Sequence, residues 1–185
     1  VIGRSWGQGA QHSQSPQALF SHFPGLKVIM PSNSQSIIES YQYLLNEYSG
    51  PVISLEHRLM YDLNFDVERD QIRTGKDALA SYIVREGKDV TIVATSIMVL
   101  EAVRAAKYLA EYGIDCEIID LHSTTDIEHS LIIESVKKTG KLLVADTSWV
   151  SFGVAAEISR IICENAPQYL TAPVVNVGMV STPCP

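Results

Sequence analysis

Residues 90–121 run VTIVATSIMVLEAVRAAKYLAEYGIDCEIIDL, and this stretch decides the fold. Val90 to Thr95 is a short β-rich run. Ser96 stands where a helix N-cap is wanted. Val99, Ala102, Val103, Ala106, Leu109 and Ala110 then recur at three- and four-residue spacing, giving one apolar helix face as far as Tyr112, and Gly113 ends it. Glu117 to Leu121 is β-rich again. Strand, helix and strand with tight returns predict a parallel crossover unit.

The alternation continues on both sides. Upstream, Ala80 to Arg85 forms a strand separated from Val90 by the turn Glu86-Gly87-Lys88-Asp89. Downstream, a helix over Ile127–Lys138, a strand over Lys141–Ala145, a helix over Phe152–Asn165 and a strand over Val174–Gly178 are expected. This order predicts an α/β unit whose open, mostly parallel sheet is covered on both faces. A second unit precedes it. Leu26 to Met30 is a strand closed by Pro31, Ser34 caps a helix over 35–48 carrying Ile37, Ile38, Tyr41, Leu44 and Leu45, and Pro51 to Leu55 is a strand. These elements are expected to finish a doubly wound sheet whose opening strands lie upstream. Residues 57–76 mix apolar and charged side chains without periodicity and read as a linker. The expected division is therefore 1–56, linker 57–76 and 77–185.

At 185 residues with 46% hydrophobic content, the chain can build substantial cores. Its net charge of −7 is scattered, with no basic stripe to neutralise phosphates, so nucleic acid is not an expected partner. No apolar run reaches the length of a membrane span. Cys116, Cys163 and Cys184 are odd in number and lack metal-ligand spacing, which favours a reducing compartment. Cys163 is expected to be a small buried hydrophobe on a helix.

Residues 7–16, Gly-Gln-Gly-Ala-Gln-His-Ser-Gln-Ser-Pro, are different in kind. Two glycines free the backbone, and amide, imidazole and hydroxyl groups crowd within one turn of each other. Ser15 is the expected N-cap of a short helix with Pro16 at its first position, and Leu19, Phe20 and Phe23 pin the polar loop from behind. His12 is the candidate proton carrier, because imidazole titrates near neutrality. His22 is expected on a helix surface. Gly7-x-Gly9 lacks the third glycine and the preceding strand of a dinucleotide fingerprint, and Ser151-x-Gly153 lacks the first glycine of a nucleophile elbow. Asp62, Asp66 and Asp70, spaced by four, fall in the linker and read as solvated charges.

The run Gly-x-x-x-Gln-His-Ser-Gln-Ser, then Pro24-Gly25-Leu26-Lys27-Val28, Met30-Pro31-Ser32, Pro51-Val52-Ile53 and Leu55-Glu56-His57, resembles the beta subunit of the thiamine-diphosphate-dependent 2-oxoacid dehydrogenases of the pyruvate, branched-chain and acetoin complexes. The likeness extends along the whole chain. It implies the end of a transketolase-like pyrimidine-binding domain followed by a transketolase C-terminal-like domain, and oxidative decarboxylation of a 2-oxoacid with acyl transfer to a lipoyl group. It further implies thiamine diphosphate and magnesium held mainly by an alpha subunit, beta-beta self-association, a lipoyl-bearing acyltransferase core as partner, and bacterial cytoplasm or mitochondrial matrix as location. By this resemblance His12 faces the thiazolium end of the cofactor, with Gln11 and Ser13 orienting it. The chain lacks a start methionine, and the resemblance places the cofactor-activating glutamate and a C-terminal contact segment outside it.

Asp146, Trp149, Phe152, Gly153 and Glu157 line up with the family's Glu-x-x-Trp-x-x-Phe-Gly-x-x-x-Glu pattern, with aspartate in place of its first glutamate, and Pro183-Cys184-Pro185 resembles its Pro-x-Pro. Glu157 reads on its own as a solvated charge and Trp149 as packing. Asp120-Leu121-His122-Ser123-Thr124 departs from the family's Asp-Leu-Arg-Thr, and Asp126 replaces a proline, so an ionic contact made there by arginine is in doubt. This departure motivates a second hypothesis, an inactive assembly protein that keeps the fold and interface. A transketolase or deoxyxylulose-phosphate synthase shares the domain type, but the Gln-His-Ser-Gln-Ser run is the dehydrogenase version of the loop.

Overall fold

A computed structural model describes residues 1–4 and 7–184. Pro185, which closes the Pro-Cys-Pro motif, lies outside the described residues, as do Ser5 and Trp6.

The larger sheet has five strands: β3 (Tyr82–Arg85), β4 (Val90–Ala94), β5 (Cys116–Asp120), β6 (Leu142–Trp149) and β7 (Val175–Met179), in the spatial order β3-β5-β4-β6-β7. The four strands from β5 to β7 run parallel, with Ile92 of β4 beside Ile118 of β5 and Leu143 of β6. The edge strand β3 is antiparallel to β5. Because β3 lies on the far side of β5 from β4, the turn at 86–89 is not a hairpin but a crossing over the start of β5. Gly87 permits that crossing, since a Cβ there would sit 2.2 Å from the carbonyl carbon of Cys116.

Alternation along the strands sends side chains to opposite faces. On one face Val93, Ile119, Leu121 and Val144 pack with Ile132 and Val136 of α5 (His129–Thr139) and Ile158, Ile161 and Ile162 of α6 (Val154–Asn165). On the other, Ile92, Ala94, Ile118 and Ala145 meet Val99, Ala102 and Ala106 of α4 (Ile97–Ala110). The sheet is thus covered on both sides, as its sequence pattern requires. The buried stripe of α6 passes through Ile161 and Ile162, so Cys163, one step further round the helix, is exposed and not the buried hydrophobe expected.

Two further strands, β1 (Lys27–Ile29) and β2 (Val52–Ser54), pair in parallel across the crossover helix α3 (Ser34–Asn46). Ile2 bridges His57 beside β2, and Ile29 bridges Ser123 on the far side of β1. The amide of Met30 donates to the carbonyl of His122 at 2.7 Å and that of Thr124 to Val28 at 3.0 Å, so β1 is stitched to the chain leaving β5. The linker forms three short 3-10 turns, at Arg58–Met60, Arg69–Gln71 and Gly75–Leu79.

The capping of three helices differs from expectation, and α5 and α6 each begin two residues later than expected, at His129 and Val154. Asn33, not Ser34, caps α3: its extended backbone lets Oδ1 accept from the Ser36 amide at 2.8 Å, while its own amide donates to Ser36 Oγ at 3.2 Å. Ser96 sits at φ 49° before α4 and turns its hydroxyl to Met60 Sδ, at 3.6 Å, without capping. The short helix α2 (Gln17–Ser21) begins after Pro16, and no side chain caps it.

Replacing Ile158, which is fully buried between α6 and the sheet, by alanine is expected to cost about 2–5 kcal/mol. Denaturant unfolding checks this as a lower midpoint with an unchanged slope.

Candidate functional site

The polar stretch around His12 contains one helical turn, α1 (Gly9–His12), with no buried residue. Gly7 and Gly9 take φ of 59° and 71°, left-handed values that lift the backbone into the turn. Gln11 and His12 are exposed, whereas Ser13 is buried. The Ser13 amide closes the turn on Gly9 O at 3.1 Å, and its carbonyl accepts from Cys184 Sγ at 3.4 Å. Gln8 Oε1 accepts from the Arg58 guanidinium at 2.6 Å. The turn is therefore held at both ends, with the imidazole left facing outward. Gln11 and Ser13 flank His12 in sequence, but neither is hydrogen-bonded to its ring among the described residues.

A second anchor follows at once. Gln17, at 0% exposure, donates from Nε2 to Asp146 Oδ1 at 2.6 Å. The same carboxylate oxygen accepts from Thr95 Oγ1 at 2.7 Å and the Thr147 amide at 2.8 Å. The segment carrying His12 is thus bolted to β6 of the larger sheet. The Asp146 carboxyl is pushed up by burial, which outweighs these hydrogen bonds.

The altered loop lies beneath α3. His122, fully buried at φ 56°, has Nε2 2.8 Å from Ser40 Oγ, and its amide donates to Asp120 Oδ1 at 2.9 Å. Asp120 also accepts from Ser32 Oγ. Burial drives the His122 ring down from its usual value against the pull of Asp120, and burial likewise drives the Asp120 carboxyl up. Close by, the Arg73 guanidinium lies 4.1 Å from the Tyr82 ring centre and pairs with the buried Glu39 at 2.6 Å. Burial alone would raise Glu39, but the Arg73 bonds outweigh it and hold the carboxyl low. His122 thus packs as a neutral ring against α3, in place of the arginine usual in the resemblance. Asp126, the other departure, pairs with Lys27 at 2.6 Å on the surface.

An open groove of about 810 Å³ lies between α2 and the start of α6, bordered by His22, Phe23, Asp126, His129, Phe152 and Arg160. Gln11, His12 and Ser13 do not line it. Phe152 is 96% exposed at φ 59°. Arg160 is bound by Glu157 at 2.6 Å and by Glu164, so Glu157 is a surface ion-pair member. Trp149, half-buried, donates from Nε1 to Thr182 O at 2.8 Å. Among the described residues no three His, Cys, Asp or Glu side chains gather as a metal site, and no helix is long and apolar enough to cross a membrane.

Sequence reasoning passed over Gln17 as a connection, and named Asp146 only as a motif position. The available signal was an amide on the inward side of a short helix, matched by an acid at the end of the run Leu142 to Ala145.

Residues 80–185 match the family described as transketolase, C-terminal domain. The chain is 39% identical over 178 residues to the pyruvate dehydrogenase E1 component subunit beta of Rickettsia conorii, covering 95% of this chain and 53% of that protein. It is 37% identical over 183 residues to the mitochondrial pyruvate dehydrogenase E1 component subunit beta of Dictyostelium discoideum, covering 96% and 50%. It spans about half the length of these curated relatives. A solved structure described as a split gene transketolase, inactive beta4 tetramer, superposes with a TM-score of 0.75 at 30% identity, covering 91% of this chain and 54% of the other.

Burial also depresses His57, followed by the charge of Arg4. A ring whose folded value lies below its unfolded one contributes fully above the unfolded value, near ~6.5, and its contribution is lost as pH falls below it. From about pH 7 to about pH 5 each ring therefore lowers the folding constant by up to about tenfold per pH unit, against an opposite contribution from the buried Asp120 and Asp146 carboxyls. Thermal melts of H122Q are expected to show it gaining stability relative to wild type as pH falls across that range.

Proposed function

This chain belongs to the transketolase C-terminal domain family, and from that premise we propose that it is part of the beta subunit of a thiamine-diphosphate-dependent 2-oxoacid dehydrogenase. The reaction is decarboxylation of a 2-oxoacid, with pyruvate favoured by the names of its relatives, and transfer of the acyl group to a lipoyl arm. The observation that carries this reading is the His12 turn. An exposed imidazole stands on a single helical turn, in the run Gln11-His12-Ser13-Gln14-Ser15, while Ser13 and Gln17 behind it are buried and tied to the larger unit. That arrangement suits a group that must meet something outside this chain.

In this reading the exposed His12 turn would form one wall of a cofactor site. Magnesium and the diphosphate belong to an alpha subunit in this proposal, and the site is completed between polypeptides. Thiamine diphosphate supplies the carbanion chemistry. This chain supplies His12, which holds or moves a proton at an imidazole nitrogen, and Gln11 and Ser13, which set the direction of the turn. Further proposed partners are a second beta subunit and the lipoyl-bearing acyltransferase core. The proposed location is bacterial cytoplasm or the mitochondrial matrix, in keeping with the relatives' sources. We place the boundary between the pyrimidine-binding part and the C-terminal-type domain in residues 57–76.

The superposed transketolase shares the fold, and a fold hosts more than one chemistry. Identity to pyruvate dehydrogenase beta subunits along nearly the whole chain favours the dehydrogenase. The inactive-scaffold hypothesis rested on the altered loop. There His122 replaces the usual arginine by packing inward against Ser40, so that change is taken up inside the fold, away from the exposed His12.

The test is reconstitution of the full-length beta subunit with its alpha partner, assayed for 2-oxoacid decarboxylation with an artificial electron acceptor. H12A is expected to lower the rate about 10²- to 10⁴-fold with an unchanged melting temperature, since the ring is exposed. An unaltered rate would remove His12 from the mechanism.

A further inference from the structure

The pair Gln17 and Asp146 is incomplete in one specific way. Asp146, 3% exposed, places three donors on a single oxygen: Gln17 Nε2 at 2.6 Å, Thr95 Oγ1 at 2.7 Å and the Thr147 amide at 2.8 Å. Its other oxygen, Oδ2, is buried with no hydrogen-bond partner among the described residues, and so is Oε1 of Gln17. Two bare acceptors therefore belong to two groups already joined through their other atoms. A buried carboxylate oxygen and a buried amide oxygen, both without donors, carry a desolvation cost that proteins rarely leave standing. One proton on Oδ2 removes both faults, because the acid hydroxyl can then donate to Gln17 Oε1 while Gln17 Nε2 donates to Oδ1.

We infer that Asp146 is kept as a neutral carboxylic acid and closes a two-bond acid–amide ring with Gln17, making the tether between α2 and β6 dependent on one proton. The surroundings are of the right kind. The groups facing the carboxyl are Gln17 from α2, Thr95 following β4, the amides of Thr147 and Ser148 within β6, and, beside the Asp146 carbonyl, Gly178 of β7. None of these is charged, so no neighbouring cation favours the ionised form. Burial acts in the same direction. When pH rises and the proton leaves, the ring loses its donor and a buried anion faces the Gln17 carbonyl oxygen. The connection that loosens is the one immediately after the His12 turn. The inference does not depend on the thiamine reading.

The sign follows from linkage. An acid whose folded value is raised contributes stability that is complete below the unfolded value, near ~3.9, and lost as pH rises through the folded value. D146N is the discriminating variant, because its amide keeps the Oδ1 acceptor and supplies an N–H to Gln17 Oε1 at every pH. Denaturant unfolding of the full chain and of D146N is compared from about pH 4 to about pH 9. The folding constant of D146N relative to wild type is expected to climb by up to about tenfold per pH unit until the folded value of Asp146 is passed, then level off. Infrared spectra of the folded wild type are expected to contain a protonated-carboxyl stretch at neutral pH that loses intensity in D146N, any remainder belonging to the other buried acid, Asp120. If D146N does not fold, the ¹³C carboxyl shift of Asp146 in aspartate-labelled wild type, followed over the same range, reads the same proton. A wild type with no protonated-carboxyl band at neutral pH, or a carboxyl shift already that of the anion, would overturn the inference. So would a D146N whose relative stability does not change with pH.

Discussion

The structure depends on how the far edge of β1 is satisfied. One side of this strand pairs with β2, and the other would expose backbone groups that cannot be left unpaired in a buried position. The residues leaving β5 answer that need. His122 adopts a left-handed backbone at φ 56°, uncommon for a residue other than glycine, and so brings its carbonyl within 2.7 Å of the Met30 amide. The Ile29–Ser123 bridge and the Thr124–Val28 bond follow. This one stitch fixes the small parallel pair against the five-stranded sheet, and with it the segment that carries α1 and α2.

The stitch buries polar side chains, and the way each is satisfied differs. Asp120, Ser32, His122 and Ser40 are all buried and joined by hydrogen bonds, with Nδ1 of His122 left without a partner among the described residues. Burial shifts His122 and Asp120 each toward its neutral form, which avoids placing ions where solvation is lost. Glu39, equally buried, takes the opposite course. The Arg73 guanidinium reaches it from the partly exposed linker, stacks over Tyr82, and keeps the carboxylate charged. The difference is one of access, since a long cationic stem can enter from the surface but cannot reach the centre of the seam. The linker, without periodicity of its own, is held by this ion pair and, at its end, by Ala78 and Leu79, which are buried with Ile29 and Tyr43.

Much of the layered α/β arrangement was legible in the sequence, because burial on both faces imposes strand and helix periods that survive in the residue order. Helix ends were less legible. Asn33 and Ser34 are both good caps, and only the extended backbone at Asn33 decides between them. Ser96 has the right side chain, but its left-handed backbone turns the hydroxyl away. The place of β3 was not legible, since a four-residue turn between two β-rich runs normally means a hairpin, and only the missing Cβ of Gly87 hints at a close crossing. At the candidate site, composition singled out His12, because a polar cluster flanked by apolar periodicity stands out. Gln17 and Asp146 are 129 positions apart, and nothing local joins them. Contacts of that kind arise from topology and leave no period to read.

The open groove and the most suggestive residue therefore lie on separate linings, and the chemistry of each decides which to favour. The groove is wide, but its one arginine is occupied by Glu157 and Glu164 and its lysine-facing acid, Asp126, is spent on Lys27. Its opposite charges are therefore already paired along the rim. His12 has the reverse character: little cavity around it, no partner consuming its ring among the described residues, and a backbone secured on both sides by buried contacts. Catalytic groups need rigid placement and an unoccupied functional atom. A turn that provides both is consistent with the proposal that the rest of the site is contributed by a second polypeptide brought against it.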